Sequence, residues 1–442
     1  MADNARARLK EWLASGQARL VPLTFPQREL WETAPVPPGD ATNNICSLLD
    51  IRGPLTPELC REALGMVIAR QEALRTTILP GKEQPVQLVR AAADPVVTVI
   101  ELQPGPTGEE AAIAAMTPHF REPFDLVAGP LHRLVMVPCG PDHCFLGTVM
   151  HHAISDGWAM TTFVEDFMTG CIAAWRKSGK DMTRLQGLSD TLLPPPMTYS
   201  QWGAAERARW TPTELQRASG RWQSRLNGAS LLFDADHPVG EEPLERWVTH
   251  IPAATAEAVR QMARRSGATV FTTLSAAFRK ALAHWKGKAD VILGTPVAGR
   301  GKAAVRETMG YFSEVVPLRC QIDPAGLLAE LVPHVHAEAV EDFAEAMPFA
   351  ELARIPGAPR GRHAVYDVRF AVQNHPFPDI TVPGVSSKFR SLSSGTSRFD
   401  LACEITGDSG QMELIWLHRE SVAGQSEVRK LDTLFREVLS DV

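Results

Sequence analysis

The stretch "TVMHHAISDGWAM", Thr148–Met160, places two adjacent histidines between two apolar segments. The run "CFLGTVM" at 144–150 comes before them and contains the β-branched residues Thr148 and Val149, which favours a buried strand. After the loop, apolar residues recur every three or four positions from Met160 to Trp175, which predicts an amphipathic helix of about four turns. The histidines therefore lie where a strand gives way to a helix.

Metal binding, structural hydrogen bonding and acid–base chemistry are the roles open to His151 and His152. A metal site is disfavoured, because adjacent side chains on an extended loop diverge and no H-x-x-x-H or H-E-x-x-H spacing occurs. We expect His151 to point into the core as a structural group. We expect His152 to face a functional site, because Asp156 can fix the loop through an ion pair and Gly157 allows a close approach of backbone or ligand.

The chemistry that such a site suits is acyl transfer. A helix that begins near Trp158 directs free N–H groups and its positive dipole end toward the loop. An imidazole beside these donors can bind or deprotonate a nucleophile, while the donors stabilise a carbonyl oxyanion. The nucleophile motif G-x-S-x-G is absent from the sequence. We therefore expect direct transfer between two bound substrates rather than an acyl-enzyme.

Composition narrows the class of protein. The chain has 442 residues, 44% of them hydrophobic, which is enough for two or more cores. A formal net charge of −6 argues against a nucleic-acid partner. No apolar run approaches the roughly 18 residues of a membrane span, and the polar N-terminus has no signal-peptide core. We expect a cytoplasmic protein with no membrane partner, whose seven scattered cysteines are buried, reduced thiols.

Helical and strand-like segments alternate in both halves of the chain. Residues 56–78 predict a helix that Thr56 caps and Pro57 starts, with strand-like character at the end. The second half shows helical patterns at 256–267 and 271–285 and strand-like runs at 289–297, 310–320, 366–374 and 399–405. The prolines at 194–196 break the pattern, so we expect α/β (α+β) lobes at 1–190 and 191–442.

At this point the motifs resemble a known family. "HHAISDG" (151–157) is similar to the HHxxxDG motif of condensation domains of nonribosomal peptide synthetases, which the wider chloramphenicol-acetyltransferase-like superfamily shares. Further segments resemble that family's motifs in chain order: "LTFPQRELW" (23–31), "RQEALRTTI" (70–78), "TYSQW" (198–202), "GTPVAGR" (294–300), "MGYFSEVVPLR" (309–319), "AMPFAEL" (346–352), "VRFAVQN" (368–374) and "SRFDL" (397–401). The resemblance covers nearly the whole chain.

The resemblance implies a V-shaped pseudo-dimer of two chloramphenicol-acetyltransferase-like lobes with a central tunnel. A donor carrier protein would present an acyl thioester on its phosphopantetheine arm from one side. An acceptor carrier protein, or a soluble amine or alcohol, would enter from the other and form an amide or an ester. The chain itself would bind no cofactor and no metal, and one copy would suffice because both lobes lie in one chain.

The resemblance also assigns residues. His152 would be catalytic, either as a general base or by orienting the amine and stabilising the tetrahedral intermediate. Gly157 would place its N–H near the thioester carbonyl. His151 would anchor the loop, and Asp156 would pair with Arg300. Residues 294–300 and 309–319 would correspond to the latch region and the following floor strand.

One departure from the family pattern lies in the floor strand, where "FSEV" replaces F-V-N-T. Ser313 and Glu314 are therefore candidate tunnel residues. Glu314 is either a solvated or arginine-paired carboxylate, or it recognises a cationic or hydroxylated substrate. The histidine loop (151–157) and the 368–374 strand look most like the subtype that joins two L-configured building blocks, rather than an epimerisation domain.

Two other functions remain open, an acyl-CoA-dependent acyltransferase of the same superfamily and a non-catalytic recruiting domain. Recruiting domains tend to lose the active histidine, whereas His152 is present. The sequence contains no adenylation motif and no serine motif for phosphopantetheine, so the carrier would act in trans or belong to a longer synthetase. The initiator methionine favours a free-standing enzyme.

Overall fold

A computed structural model of the chain describes residues 2–32, 40–102, 108–177, 191–233, 244–360, 365–373, 379–382, 385–393, 399–407 and 410–441. Its helices are α1 (Ala2–Ala14), α2 (Phe25–Glu32), α3 (Pro57–Arg70), α4 (Glu109–Arg121), α5 (Gly157–Lys177), α6 (Tyr199–Arg209), α7 (Pro212–Leu226), α8 (Ala253–Arg265), α9 (Val270–Lys286), α10 (Leu328–Ala344), α11 (Phe349–Leu352) and α12 (Gln425–Ser440). Its strands are β1 (Ala18–Pro22), β2 (Asn44–Arg52), β3 (Thr76–Leu79), β4 (Val86–Arg90), β5 (Val97–Val99), β6 (His132–Gly140), β7 (His143–His151), β8 (Glu245–Ile251), β9 (Asp290–Val297), β10 (Glu314–Gln321), β11 (Val368–Gln373), β12 (Ile380–Val382), β13 (Val385–Leu392), β14 (Leu401–Thr406) and β15 (Met412–His418).

Local capping chemistry sets the ends of the helices around the site. Helix α3 starts as predicted, with Pro57 in its first turn and the Thr56 hydroxyl accepting the Leu59 N–H at 3.3 Å. Helix α5 has 21 residues and exceeds the predicted four turns. Three of the added residues precede the apolar stripe, where the Asp156 carboxylate caps the helix by accepting the Ala159 N–H at 2.8 Å, and two follow Trp175.

Two six-stranded sheets form the framework, so the predicted α/β class is confirmed. The N-terminal sheet has the strand order β12-β13-β2-β7-β6-β5, and the C-terminal sheet has the order β10-β9-β11-β14-β15-β8. A small third sheet, β1-β4-β3, accompanies the first. The histidine strand β7 is central in its sheet, between β2 and β6.

Two strands from the C-terminal half of the sequence, β12 and β13, lie in the N-terminal sheet. Strand β13 runs antiparallel to β2, from the Ser386–Arg52 pair to the Leu392–Cys46 pair. Residues 294–300 and 309–319 do not make this exchange, since β9 and β10 pair with each other in the C-terminal sheet. No strand was expected at 380–392, because a pairing over such a sequence distance leaves no local signal.

Separate hydrophobic cores stabilise the two sheets. Phe163 and Trp175 of α5 are fully buried against the N-terminal sheet, and Phe278 of α9 and Trp416 of β15 are fully buried against the C-terminal sheet. Burial of side chains of this size stabilises the fold by roughly 1.5–3 kcal/mol each. The proposed lobe boundary at residue 190 lies in 178–190, outside the described residues, as do Asn374, Ser397 and Arg398 of the sequence motifs.

The apolar character of the helices and the burial of the cysteines can be compared with what composition led us to expect. None of the helices described is both long and apolar enough to cross a membrane. All seven cysteines are free thiols, but Cys139 is exposed, contrary to the expectation that every thiol is buried. It lies near the end of β6, where the β6–β7 hairpin turns toward solvent.

Candidate active site

His151 ends strand β7 and lies inside the N-terminal lobe. Its backbone N–H donates to the Leu131 carbonyl at 2.9 Å, and its ring Nδ1 accepts the Ala153 N–H at 3.1 Å. A ring nitrogen that accepts a hydrogen bond carries no proton, so the imidazole is neutral with its proton on Nε2. The ring lies edge-on to Phe124, with the ring centroids 6.1 Å apart. His151 is therefore buried and hydrogen-bonded to the backbone on both sides of the loop.

His152 begins a short 3-10 turn, 152–154, that points its ring away from the core. Its backbone N–H donates to the Asn43 carbonyl at 2.7 Å, which ties the turn to the segment before β2. The half-buried ring packs against Tyr311, with the ring centroids 4.3 Å apart, and borders a cavity of about 920 Å³. The adjacent histidines thus have different environments, because β7 ends at His151 and the 3-10 turn begins at His152.

Asp156 connects the histidine loop to the C-terminal half of the chain. The side chain is 1% exposed, and its Oδ2 accepts the backbone N–H groups of Phe312 at 2.9 Å and Ser313 at 3.1 Å. The Ser313 hydroxyl donates to the same oxygen at 3.3 Å. These bonds take the N–H groups that would extend β10, so the strand begins at Glu314 rather than at the predicted residue 310.

Arg300 is the cationic partner of Asp156. Its Nη2 lies 3.3 Å from Asp156 Oδ1, and its Nη1 donates to the carbonyls of Val305 and Thr308 at 2.7 and 2.6 Å. Burial lowers the pKa of the guanidinium, and the Asp156 carboxylate opposes that shift. The guanidinium also stacks on Phe312, 3.9 Å from the ring centroid. The structure thus brings together two residues that are 144 positions apart.

The cavity lies between the two large sheets. His152, Gly157, Tyr311, Ser313 and Glu314 border it on the side of the histidine loop. The C-terminal sheet contributes these further lining residues: Arg246, Val248, Arg369, Gln373, Glu404, Thr406, Glu413, Ile415 and Leu417. The predicted site residues other than the buried anchors His151 and Arg300 therefore meet at one cavity, which Asp156 also reaches.

Glu314 opens β10 beside the cavity. Its side chain is half-buried and forms no hydrogen bond or ion pair with the residues that the structure describes. Burial, together with the carboxylates of Glu29 and Glu206, raises the pKa of Glu314 to about 8, and Arg209 opposes that shift. The pairing with a nearby arginine that the sequence left open is therefore not formed within the described part of the chain.

Tyr311 and Tyr199 are site residues to which the sequence analysis gave no role. The Tyr199 hydroxyl donates to the Tyr311 carbonyl at 2.6 Å and lies 2.7 Å from the Thr24 hydroxyl, so it fixes the residue that contacts His152. Burial raises the pKa of Tyr199 well above its ordinary value, which keeps it a hydrogen-bond donor. Both tyrosines lie within motifs quoted above, but contact with the histidine required the fold.

The segment "RQEALRTTI" also joins the two halves of the chain. Arg70 pairs with Asp166 at 2.6 Å and with Glu307 at 2.6 Å. The Gln71 side-chain oxygen accepts the Met309 N–H at 2.9 Å. This motif therefore holds the stretch that leads into Tyr311, without lining the cavity itself.

Comparisons with known proteins agree with this architecture. The profile of the family described as Condensation domain matches residues 17–442. Phosphinothricin tripeptide synthetase PhsC from Streptomyces viridochromogenes is 31% identical over 341 residues, which cover 75% of this chain and 30% of that protein. Malpinin synthetase from Mortierella alpina is 25% identical over 409 residues, which cover 89% of this chain and 5% of that protein. The chain thus spans less than a third of either relative.

Among solved structures, the chain resembles the first condensation domain of the calcium-dependent antibiotic synthetase, which was solved with a substrate analogue. The TM-score is 0.78 at 20% identity, and the match covers 96% of each chain. At that identity the likeness speaks for the fold alone. The family profile, by contrast, runs through both sheets and the histidine loop between them, and on that ground this chain belongs to the condensation domain family.

Proposed function

We propose that this chain transfers an acyl or peptidyl group from the phosphopantetheine thioester of a donor carrier protein to an acceptor. An acceptor amine gives an amide and an acceptor hydroxyl gives an ester. The acceptor is carried by a second carrier protein or is a soluble amine or alcohol. The observation that carries the proposal is that His152 borders a cavity of about 920 Å³ between the two sheets, a size suited to small-molecule groups.

His152 acts on the acceptor. Its imidazole accepts a hydrogen bond from the attacking amine, whose nitrogen forms the new bond to the thioester carbonyl carbon. The carbon–sulfur bond then breaks, and the proton lost by the amine passes to the pantetheine sulfur, so that a thiol leaves. Packing of the ring against Tyr311, at 4.3 Å between centroids, restricts its orientation before substrates arrive.

Gly157 supplies the oxyanion side of the site. It is the first residue of α5 and borders the cavity. The first N–H groups of a helix have no partner inside the helix, and they lie at the positive end of its dipole. A donor at this position stabilises the negative charge that develops on the thioester oxygen.

Asp156 and Arg300 are positioning residues. They hold the histidine loop to residues 312 and 313, so the imidazole and the Gly157 N–H keep a fixed separation. His151 contributes from the other side by accepting the Ala153 N–H. A preorganised site of this kind avoids reorganisation during the reaction.

Transfer is direct in this proposal, with no acyl-enzyme. The described residues that line the cavity include no cysteine, and the Ser313 hydroxyl donates to Asp156 rather than to an imidazole. Ser313 therefore lacks the adjacent base that activates a nucleophilic hydroxyl. One copy of the chain suffices, because both walls of the cavity come from the same chain, and the only prosthetic group required is the substrate's phosphopantetheine arm.

Reconstitution with two donors tests this function against transfer from acyl-CoA. A carrier protein loaded with an acyl group, or the same acyl group on CoA, is mixed with the chain and with panels of amines and alcohols. Mass spectrometry then identifies the products. We expect products from the carrier-bound donor, and the acceptor panel decides between amide and ester.

Turnover with acyl-CoA alone would support an acyl-CoA-dependent acyltransferase instead. No product from either donor, together with stable binding of a carrier protein or another partner, would support a recruiting domain. Either result contradicts the proposal.

A further inference from the structure

Glu314 differs from the other charged residues around the cavity. Each of those residues is in an ion pair, and the pairs are Asp156–Arg300, Arg246–Glu413, Arg369–Glu404 and Arg390–Glu109. Glu314 borders the same cavity and has no ion-pair partner in the described part of the chain. The cavity as the structure describes it thus carries one uncompensated carboxyl group.

The position of Glu314 is fixed relative to the histidine loop. It directly follows Ser313, whose N–H and hydroxyl both bind Asp156 Oδ2, at 3.1 and 3.3 Å. On its other side Glu314 enters the β10–β9 ladder opposite Val297. The backbone of Glu314 is thus held on both sides, which places its side chain beside the cavity where a ligand would bind.

The charges nearby favour a cation. Glu29 of α2 and Glu206 of α6 add negative potential at Glu314, while Arg209 of α6 opposes it. Glu206 is partly neutralised by Arg209 at 3.6 Å and by Lys302 at 3.7 Å, whereas Glu29 is 3% exposed. An anion would meet repulsion here, and an apolar group would leave the carboxyl group without a hydrogen-bond partner.

We infer that Glu314 is a specificity-determining residue that binds a cationic group, an ammonium or guanidinium, on the side chain of a substrate building block. This assignment rests on the proposed function, because it takes the cavity to be the place where the substrates bind. The cation belongs either to the donor or to the acceptor. The chemistry of recognition is the same in both cases, so the test separates the two sources.

Binding of non-transferable probes tests the inference without turnover. Lysyl pantetheine amide with a free α-amine represents the acceptor, and its Nα-acetylated form represents the donor. The corresponding norleucine compounds replace the cationic side chain with a neutral one of similar length. Calorimetry gives the dissociation constants for the unmodified chain, for Glu314→Gln, for the charge-retaining Glu314→Asp and for the control Glu110→Gln, which alters an exposed carboxylate on α4.

In one probe series, acceptor or donor, we expect the unmodified chain and Glu110→Gln to bind the lysine compound more tightly than the norleucine compound. Glu314→Gln should reduce that preference about tenfold, the value of a charged hydrogen bond, and Glu314→Asp should retain part of it. The preference should also rise with pH as Glu314 ionises near pH 8, because burial first, and then Glu29 and Glu206, raise its pKa while Arg209 opposes them. In Glu314→Gln the pH profile should be flat over this range.

An equal lysine-to-norleucine ratio in the unmodified chain and in Glu314→Gln, in both probe series, would overturn the inference. Transfer of neutral building blocks in the reconstituted assay reports separately on the proposed function. Failure of the Glu314 assignment therefore leaves transfer of neutral substrates intact, and failure of the proposed function abolishes it.

Discussion

Removal of the Asp156 carboxylate should destabilise the histidine loop more than removal of Arg300. In Asp156→Ala, the α5 N-cap is lost at a cost of about 1 kcal/mol, and the Arg300 guanidinium, which is 6% exposed, loses its anionic partner. Breaking a buried pair in this way costs about 3–5 kcal/mol, so we expect a total near 4 kcal/mol or above.

Arg300→Met should cost less, about 2–3 kcal/mol, because it removes three hydrogen bonds, to Asp156 and to the carbonyls of Val305 and Thr308, whereas Asp156→Ala removes five. Asp156 then keeps its other donors, which are the N–H groups of Ala159, Phe312 and Ser313 and the Ser313 hydroxyl. Comparison of the double variant, Asp156→Ala with Arg300→Met, with the two single variants isolates the interaction between the two side chains. We expect a coupling free energy of about 1–3 kcal/mol.

Hydrogen exchange read by mass spectrometry is the suitable assay, because it measures local opening free energies without requiring that the whole chain unfold in one step. The informative peptides cover 152–162 and 306–316, which contain the two ends of the network. Peptides from α12 serve as the internal control, since that helix packs on the C-terminal core. Equal losses in Asp156→Ala and Arg300→Met, or a loss below about 1 kcal/mol in both, would refute the reasoning.

The remaining predictions concern the supports of the site. Gly299 has φ +65°, and a Cβ there would lie 2.1 Å from the Phe312 carbonyl oxygen, so Gly299→Ala should lower the transfer rate at least about tenfold. Gly301→Ala is the matched control, with nothing within 4 Å of its Cβ, and should transfer normally; equal rates would contradict the account. Tyr199→Phe should cost about 1–2 kcal/mol in urea denaturation, because two buried oxygens lose their shared partner; no change would show that the hydroxyl is dispensable. Burial lowers the pKa of His132 from 6.5 to about 4, so the unfolded chain binds a proton that the folded chain does not. His132 should therefore lower the free energy of unfolding by about 3 kcal/mol between pH 7 and pH 4. His132→Leu should remove this contribution, and an unchanged pH dependence of stability in the variant would contradict the lowered pKa.

Local chemistry made much of the fold predictable. The Thr56–Pro57 start of α3 and the strand–loop–helix order around the histidines follow from capping and from periodicity, which act over a few residues. The different environments of His151 and His152 were expected because adjacent side chains diverge, and in the structure the strand ends between them.

Long-range pairings were not predictable in the same way. The Asp156–Arg300 pair was expected only because the motifs resemble a family, since no periodic pattern connects residues so far apart. The β13 strand exchange and the contact of Tyr311 with His152 depend on how the two sheets meet. The departure of "FSEV" from the family pattern singled out Glu314. That Glu314 has no ion-pair partner among the described residues could be seen only once the fold had placed the surrounding charges.

The single-turnover rate of acyl transfer reports directly on the role of His152. Acyl-carrier protein and a competent acceptor are mixed with excess chain, and quenched samples are read by intact-protein mass spectrometry. His152→Ala is compared with His284→Ala, which removes an exposed histidine on α9. We expect a transfer rate about 10²–10⁴-fold lower in His152→Ala only, and no acyl group on the chain at any time. A His152→Ala rate equal to that of His284→Ala, or a transient acylated chain, would contradict this expectation.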